Sequence, residues 1–283
     1  MKNIILMYCL VFVSYALHAK ENEYHTHEGK SNIKINYELL DFTHSLKKEE
    51  GKRYGIELDH ENKHHHYQLY YEQTYTNTTN IVPKDLDVKK YTMKYQYKFS
   101  VDQKVSLSYT RIDDNLMKET NGGDIYGIGY SQSGFGLTQY ISDYPHFNVY
   151  QTDIKYTLKS DAIKWTALGK YIHLANKNSN HFSTQAKTDY FTTGLKVHTH
   201  YKGYHLGAGI FVGKRIFAVM KEGFRVQHHA MEFKSSYMCG IGHKITDDIV
   251  AHLRYTHHEA KEIPMQHDNV KVDALTFDMV YSF

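Results

Sequence analysis

The chain has 283 residues, with 34 Lys and Arg against 31 Asp and Glu, a formal net charge of +3 and a mean hydropathy of −0.59. This mixed charge gives no concentrated basic surface for nucleic acid, and two cysteines, Cys9 and Cys239, exclude a disulfide framework. Tyrosine is the outstanding residue at 26 copies, whereas proline occurs only at Pro83, Pro145 and Pro264, outside the strongly alternating runs. In chain order, Lys2 precedes an apolar run from Ile4 to Leu17, and Ala16-Leu17-His18-Ala19 then meets Lys20. A charged start, a short apolar core and a small residue at the break predict a cleaved signal peptide over 1–19. The run is shorter than the roughly twenty residues a spanning helix needs.

A short polar segment, 20–30, follows, and from residue 31 to 283 apolar side chains recur at every second position. Ile33, Ile35, Tyr37 and Leu39 open the series, followed by Tyr54, Ile56 and Leu58, and by Tyr67, Leu69, Tyr71 and Tyr75. The fourth run is the clearest: Tyr91, Met93, Tyr95, Tyr97 and Phe99 alternate with Thr92, Lys94, Gln96 and Lys98. Further runs centre on Leu107, Ile128, Leu137, Tyr156, Leu195, Ala208, Tyr237 and Leu253; the stretch from Ile163 to Leu174 is apolar on both faces and ambiguous. Alternate side chains of a strand face opposite ways, so each run predicts a two-faced strand. Connections after even strands are short, as at Glu61–Lys63, Ser131–Ser133 and Tyr201–Gly203. Those after odd strands are longer, as at Thr76–Asp87, Asn176–Lys187 and Phe217–Arg225. Held through about fourteen strands (range 12–16), this phase predicts an all-β fold, a closed antiparallel up-and-down transmembrane β-barrel with periplasmic termini.

The chain ends Leu275-Thr276-Phe277-Asp278-Met279-Val280-Tyr281-Ser282-Phe283. A terminal strand of alternating apolar residues closing on an aromatic one resembles the C-terminal signature of Gram-negative outer-membrane proteins. That resemblance implies recognition by the outer-membrane assembly machinery through Phe283. Strand count and size resemble the fourteen-stranded monomeric porins of the outer-membrane-protein-G type. The implied protein is a monomeric channel set among outer-membrane lipids, passing ions or small hydrophilic solutes by diffusion. The resembled porins also close in acid, when protonated histidines on neighbouring strands repel and release a loop into the pore. Here that implies a pH gate made of His228 and His229 facing His257 and His258.

If the aromatic and aliphatic positions meet lipid, their neighbours line the lumen: Lys34, Glu38, Glu57, Glu72, Lys94, Lys98, Lys196, Lys234 and Arg254. Mixed signs favour cross-strand bracing of the wall over a single-sign selectivity ring. Fourteen strands enclose more space than side chains fill, so the lumen must hold water, a plug or folded-in loops. No segment is long enough for a plug domain. The histidines at 25, 27, 60, 64–66, 198, 200, 205 and 243 gather toward one rim, but without cysteine or fixed ligand spacing they read as solvated turn residues, so no metal and no cofactor is assigned. Gly129-Tyr130-Ser131-Gln132-Ser133-Gly134 has the wrong spacing and context for a nucleophile elbow, and no catalytic residue is assigned. The alternatives to a channel are an outer-membrane lipid-modifying enzyme (phospholipase or lipid A hydrolase), with His257 and His258 as its best local base, and a surface-exposed binding barrel.

Overall fold

A computed structural model describes residues 29–116, 119–160, 162–177, 187–263 and 265–283. The expected signal peptide, 1–19, and most of the segment 20–30 lie outside the described residues. No helix among the described residues is long and apolar enough to cross a membrane, so any crossing is left to strands. Those strands begin with β1 (Lys30–Thr43), β2 (Lys48–Glu61), β3 (His65–Thr78), β4 (Leu86–Lys98) and β5 (Gln103–Asp114). Next come β6 (Asp124–Gln132), β7 (Phe135–Asp143), β8 (Phe147–Ser160), β9 (Ile163–Asn176), β10 (Asp189–Tyr201) and β11 (Tyr204–Arg215). Two short strands, β12 (Val219–Met220) and β13 (Arg225–Val226), pair only with each other. The barrel resumes with β14 (Met231–Lys244), β15 (Ile249–Glu262) and β16 (His267–Ser282). The other fourteen strands form one closed antiparallel ring in sequence order, with β1 sealing against β16.

The period-2 pattern is what makes the ring two-faced. On β16, Leu275, Phe277 and Tyr281 stand 44–47% exposed on the outside, while Thr276 and Asp278 between them are buried. The same alternation carries Ile35, Ile56, Met93, Leu107, Ile128 and Leu253 outward all round the ring. Tyrosines pair across strands on this surface, Tyr67 with Tyr95 at 5.2 Å and Tyr71 with Tyr91 at 5.3 Å between ring centroids. An apolar belt with aromatic residues among it, on a sheet with no edge, is the surface that a hydrocarbon phase requires. Closure is completed by the last residue: Ser31 and Phe283 exchange two backbone hydrogen bonds, of 3.0 and 2.9 Å.

The two ends of the ring differ. At one lie the start of β1, the end of β16 and the tight turns, two of which are Ser133–Gly134 (φ 48° and 87°) and Lys202–Gly203 (φ 46° and 80°). Positive φ at both residues matches the hairpin turn whose twist suits the flanking strands. At the other end the connections are mostly longer, although the first spans only 44–47, because β1 and β2 pair beyond the alternating residues. There the outward face turns polar, as at Asp41 and Glu50, while Leu40 and Phe42 still face inward, so the backbone ladder continues without an apolar outer period to announce it. Four strand pairs, β2–β3, β11–β14, β14–β15 and β15–β16, shift register at this end. β11 steps out of register between Val212 and Arg215, at Gly213 (φ 103°), where a Cβ would lie 2.5 Å from the Phe191 carbonyl oxygen.

The interior has two regimes. Near the short-turn end it is polar. Near the long-loop end the inward residues are apolar and pack into a core: Leu86, Ile112, Phe147, Val149, Ile172 and Leu174 close around Ile216, Phe217 and Val219 of the connection after β11. A second cluster, with Phe42, Met231, Phe233, Val270 and Val272, continues it around the β14–β16 and β1 wall. Of the water, plug or folded-in loops that the sequence leaves open, the structure has a folded-in segment with its apolar core in one part of the barrel and polar space in the other.

Candidate functional site

The feature that shapes the lumen is the segment 216–230, which turns inward after β11 instead of standing outside as a surface loop. Its descending limb pairs with the returning one, Val219 with Val226 and Met220 with Arg225. Between them lies a tip, Lys221–Gly223, in the left-handed backbone region (φ 50°, 57° and 107°). Such a conformation is costly for residues with a Cβ and persists only where the surroundings hold it. Here the barrel wall does so. Glu222 binds Lys94 of β4 at 3.1 Å and also Lys155 of β8, so the tip is clamped between strands far apart around the ring. Burial alone would raise the Glu222 carboxyl, but those two lysines outweigh it and hold the group well below the usual carboxylate range.

The limbs are held as well. The Gln151 side chain acts as an extra rung, accepting from the Val219 N–H at 2.8 Å and donating to its carbonyl at 2.8 Å. Lys170 also donates to the Val219 carbonyl (3.0 Å), and Lys90 to that of Val226 (3.2 Å). Arg225 reaches Glu38 of β1 at 2.8 Å, and Phe224 lies edge-on to Tyr70 with the Lys94 ammonium 5.3 Å from its ring. Two cavities remain beside the tip, of about 230 and about 310 Å³, sharing Gln96, Lys104, Lys221 and Glu222 in their walls. The lumen thus holds an inserted loop and open space side by side.

The residues read from the sequence as lumenal fall into distinct roles. Glu38 is the most connected: it binds Arg53 and Arg225 and accepts from the Thr276 hydroxyl at 2.6 Å. Glu72 joins this group through Lys90 (2.6 Å) and Arg53 (3.4 Å). Lys34 and Arg254 flank Asp278 at 3.7 and 3.9 Å, Lys98 pairs with Glu61, and Glu57 accepts from Gln68 at 3.4 Å. Lys196 has no carboxylate partner among the described residues and lies 5.4 Å from the Phe211 ring. Lys234 is placed differently from the expectation. It is the extra residue of a bulge between Phe233 and Ser235, and it reaches Asp268 at 2.7 Å on the exposed rim.

The four gate histidines are not brought face to face. In the β14–β15 register, Ser236 is opposite His258 and Tyr237 opposite His257. His257 points outward, stacked on Tyr237 and 2.7 Å from Asp273, whereas His258 points inward with its Nδ1 2.5 Å from the Ser236 hydroxyl. His228 and His229 precede β14 altogether, on the returning limb of the inserted loop. They are fully buried against each other at 4.1 Å, with Phe42 beside His229. The expected register assumed that β14 ran on through them; the chain instead leaves the wall before Met231. Burial, then the Lys and Arg charges nearby, push both well below the ordinary histidine range. As for the rim histidines, no group of three or more His, Cys, Asp or Glu among the described residues is arranged to hold a metal.

What sequence reading missed is which segment folds in, and with it Glu222, Arg225 and Gln151 as lumen-shaping residues. A signal was present: Ile216-Phe217-Ala218-Val219-Met220 is an unbroken apolar run inside a connection, which a solvated loop has no reason to carry.

No protein-family model matches the chain, and no curated protein matches it in sequence. Among solved structures it is similar to a monoaromatic hydrocarbon channel, the TodX deltaS2S3 mutant, with a TM-score of 0.54 at 9% identity over 91% of each chain. A Pseudomonas aeruginosa FadL homologue gives 0.51 at 7% identity, covering 90% of this chain and 90% of that one. The Ralstonia pickettii toluene transporter TbuX gives 0.50 at 8% identity, covering 91% and 90%. At such identities the likeness is one of fold. The chain has the closed barrel architecture of membrane channels.

Proposed function

We propose that this protein is an outer-membrane channel of a Gram-negative bacterium that passes ions or small hydrophilic solutes by diffusion. In this reading it works as a monomer, with its termini and tight turns in the periplasm. The observation that carries the reading is a closed fourteen-stranded ring, apolar outside and charged inside, whose lumen holds water-sized space next to a loop. Charged side chains stripped of water would be far too costly there, so the polar part of the lumen is wet. The segment 216–230 and the apolar core around it set the narrowest part of the route. The solved channels of the same architecture carry hydrocarbons by their names; here the lysine-rich cavity walls favour a hydrophilic cargo instead.

Single-channel recording of refolded protein tests this. Wild-type protein should show a small conductance, and replacing 218–228 with a short Gly-Ser linker should raise it several-fold. Silence from both proteins, each shown folded by heat-modifiable gel mobility, rules the channel out.

The enzyme alternative has one observation in its favour, the Ser236–His258 contact. Ser236 is buried, however, its oxygen also contacts Arg215 and the Ser235 carbonyl, and it borders neither cavity. A nucleophile shut away from lipid and from the lumen has no substrate to attack.

A further inference from the structure

We infer that the cavity beneath the inserted loop binds small solutes bearing two or more negative charges, which rests on the channel reading and narrows its cargo to a chemical class. Six lysines border this cavity of about 230 Å³ (Lys104, Lys155, Lys164, Lys170, Lys196 and Lys221), against two carboxylates, Asp153 and Glu222. Both carboxylates are already committed, Asp153 to Lys170 and Glu222 to Lys94 and Lys155. Lys104, Lys164, Lys196 and Lys221 therefore have no carboxylate partner among the described residues. Lys104 meets only the amide oxygen of Gln96 at 3.2 Å.

Register brings two of these charges together. Lys196 lies opposite Thr166 and His198 opposite Lys164 across the β9–β10 pair, so Lys196 and Lys164 are diagonal neighbours on one face. Diagonal neighbours sit about 7–8 Å apart, within reach of long side chains, so the two ammonium groups repel each other. Among the described residues no carboxylate forms an ion pair with either lysine; an anion in the cavity would offset that repulsion. The wall beneath supplies donors and room, with Ser106, Thr138, Thr157 and Thr166 hydroxyls and the bare backbone of Gly136. Low-dielectric surroundings strengthen the field of unpaired lysines and concentrate counter-ions near them. The volume of about 230 Å³ lies below the roughly 300–1,000 Å³ of drug-sized ligand sites, which limits the occupant to a compact molecule no larger than a small polycarboxylate. The shared chemistry is a compact oxyanion, whether carboxylate or phosphate.

The test is calorimetry on full-length mature protein refolded in zwitterionic detergent at low salt, with citrate, inorganic phosphate and glucose as probes. Citrate or phosphate should bind and glucose should not. Lys164→Gln with Lys196→Gln should weaken the bound anion by about tenfold or more, the worth of removing charges close to it, while gel mobility shows the barrel still folded. Tighter citrate than phosphate assigns the site to carboxylates, and the reverse assigns it to phosphates. Equal anion binding by wild type and variant, or none by wild type, overturns the site. In bilayers under a KCl gradient, the reversal potential should favour anions and shift toward zero in the variant. Citrate binding without any current would defeat the channel reading and leave the site standing. A cation-preferring current without citrate binding would do the opposite.

Discussion

A proton arriving at His228 or His229 would meet Lys48 and Arg53 of β2 and Lys90 of β4, in a pocket that also buries both rings against Phe42. Three of their four ring nitrogens, His228 Nε2 and both of His229, have no hydrogen-bond partner among the described residues. Neutral rings fit there and charged ones do not. Because burial depresses both groups below the ordinary value of about 6.5, the released loop binds more protons than the seated one. The seat is therefore at full strength above about pH 6.5 and weakens as pH falls toward the depressed values. Conductance should rise between pH 7 and pH 5, the opposite of the acid closure that the porin resemblance implies. Replacing both histidines with phenylalanine should flatten that response in single-channel recordings; an unaltered rise would place the sensor elsewhere. At the tip, Lys94→Gln removes one side of the Glu222 clamp and should give a noisier, larger current with folding unaffected, since the strand ladder does not depend on it.

The fourteen strands were legible because lipid outside and water inside impose a strict two-residue period, as on β4 and β16. The inserted loop was not, because its partners lie 68 residues away at Gln151, 128 at Lys94 and 187 at Glu38. No local pattern encodes such pairings. The inward apolar residues at the loop's end of the barrel were visible only as a blurred period, most plainly on β9, where Ile172 and Leu174 face in while Trp165 and Tyr171 face out. That ambiguity was the trace of a core inside the barrel. On β16, Phe283 supplies the final pair of seam bonds to Ser31 and stacks its ring 5.7 Å from Tyr281. Deleting it should slow assembly into the outer membrane while leaving export intact. Pulse-chase fractionation showing an unchanged folding rate would argue against this role.

For the molecule as a whole, the outward belt sets the medium in which it is stable. Leu253→Lys, on the outside opposite Phe277 and Ile241, should cost about 2–4 kcal/mol of folding free energy in bilayers if it lies near the midplane. Urea-dependent folding into lipid vesicles measures this, and tolerance equal to that of an inward substitution would reverse the assignment of faces. The segment 216–230 has a consequence of a different kind. Joined at both ends to the wall it fills, it behaves as a tethered ligand, present at its own site at an effective concentration set by the tether, of millimolar order for short flexible links. A solute using the same space competes with an occupant that never diffuses away, so its apparent affinity is its intrinsic one scaled by the fraction of time the loop is unseated. Cutting the chain once within the loop would leave each half still leashed. Only cuts on both sides would turn the occupant into an ordinary ligand that dilution could wash out.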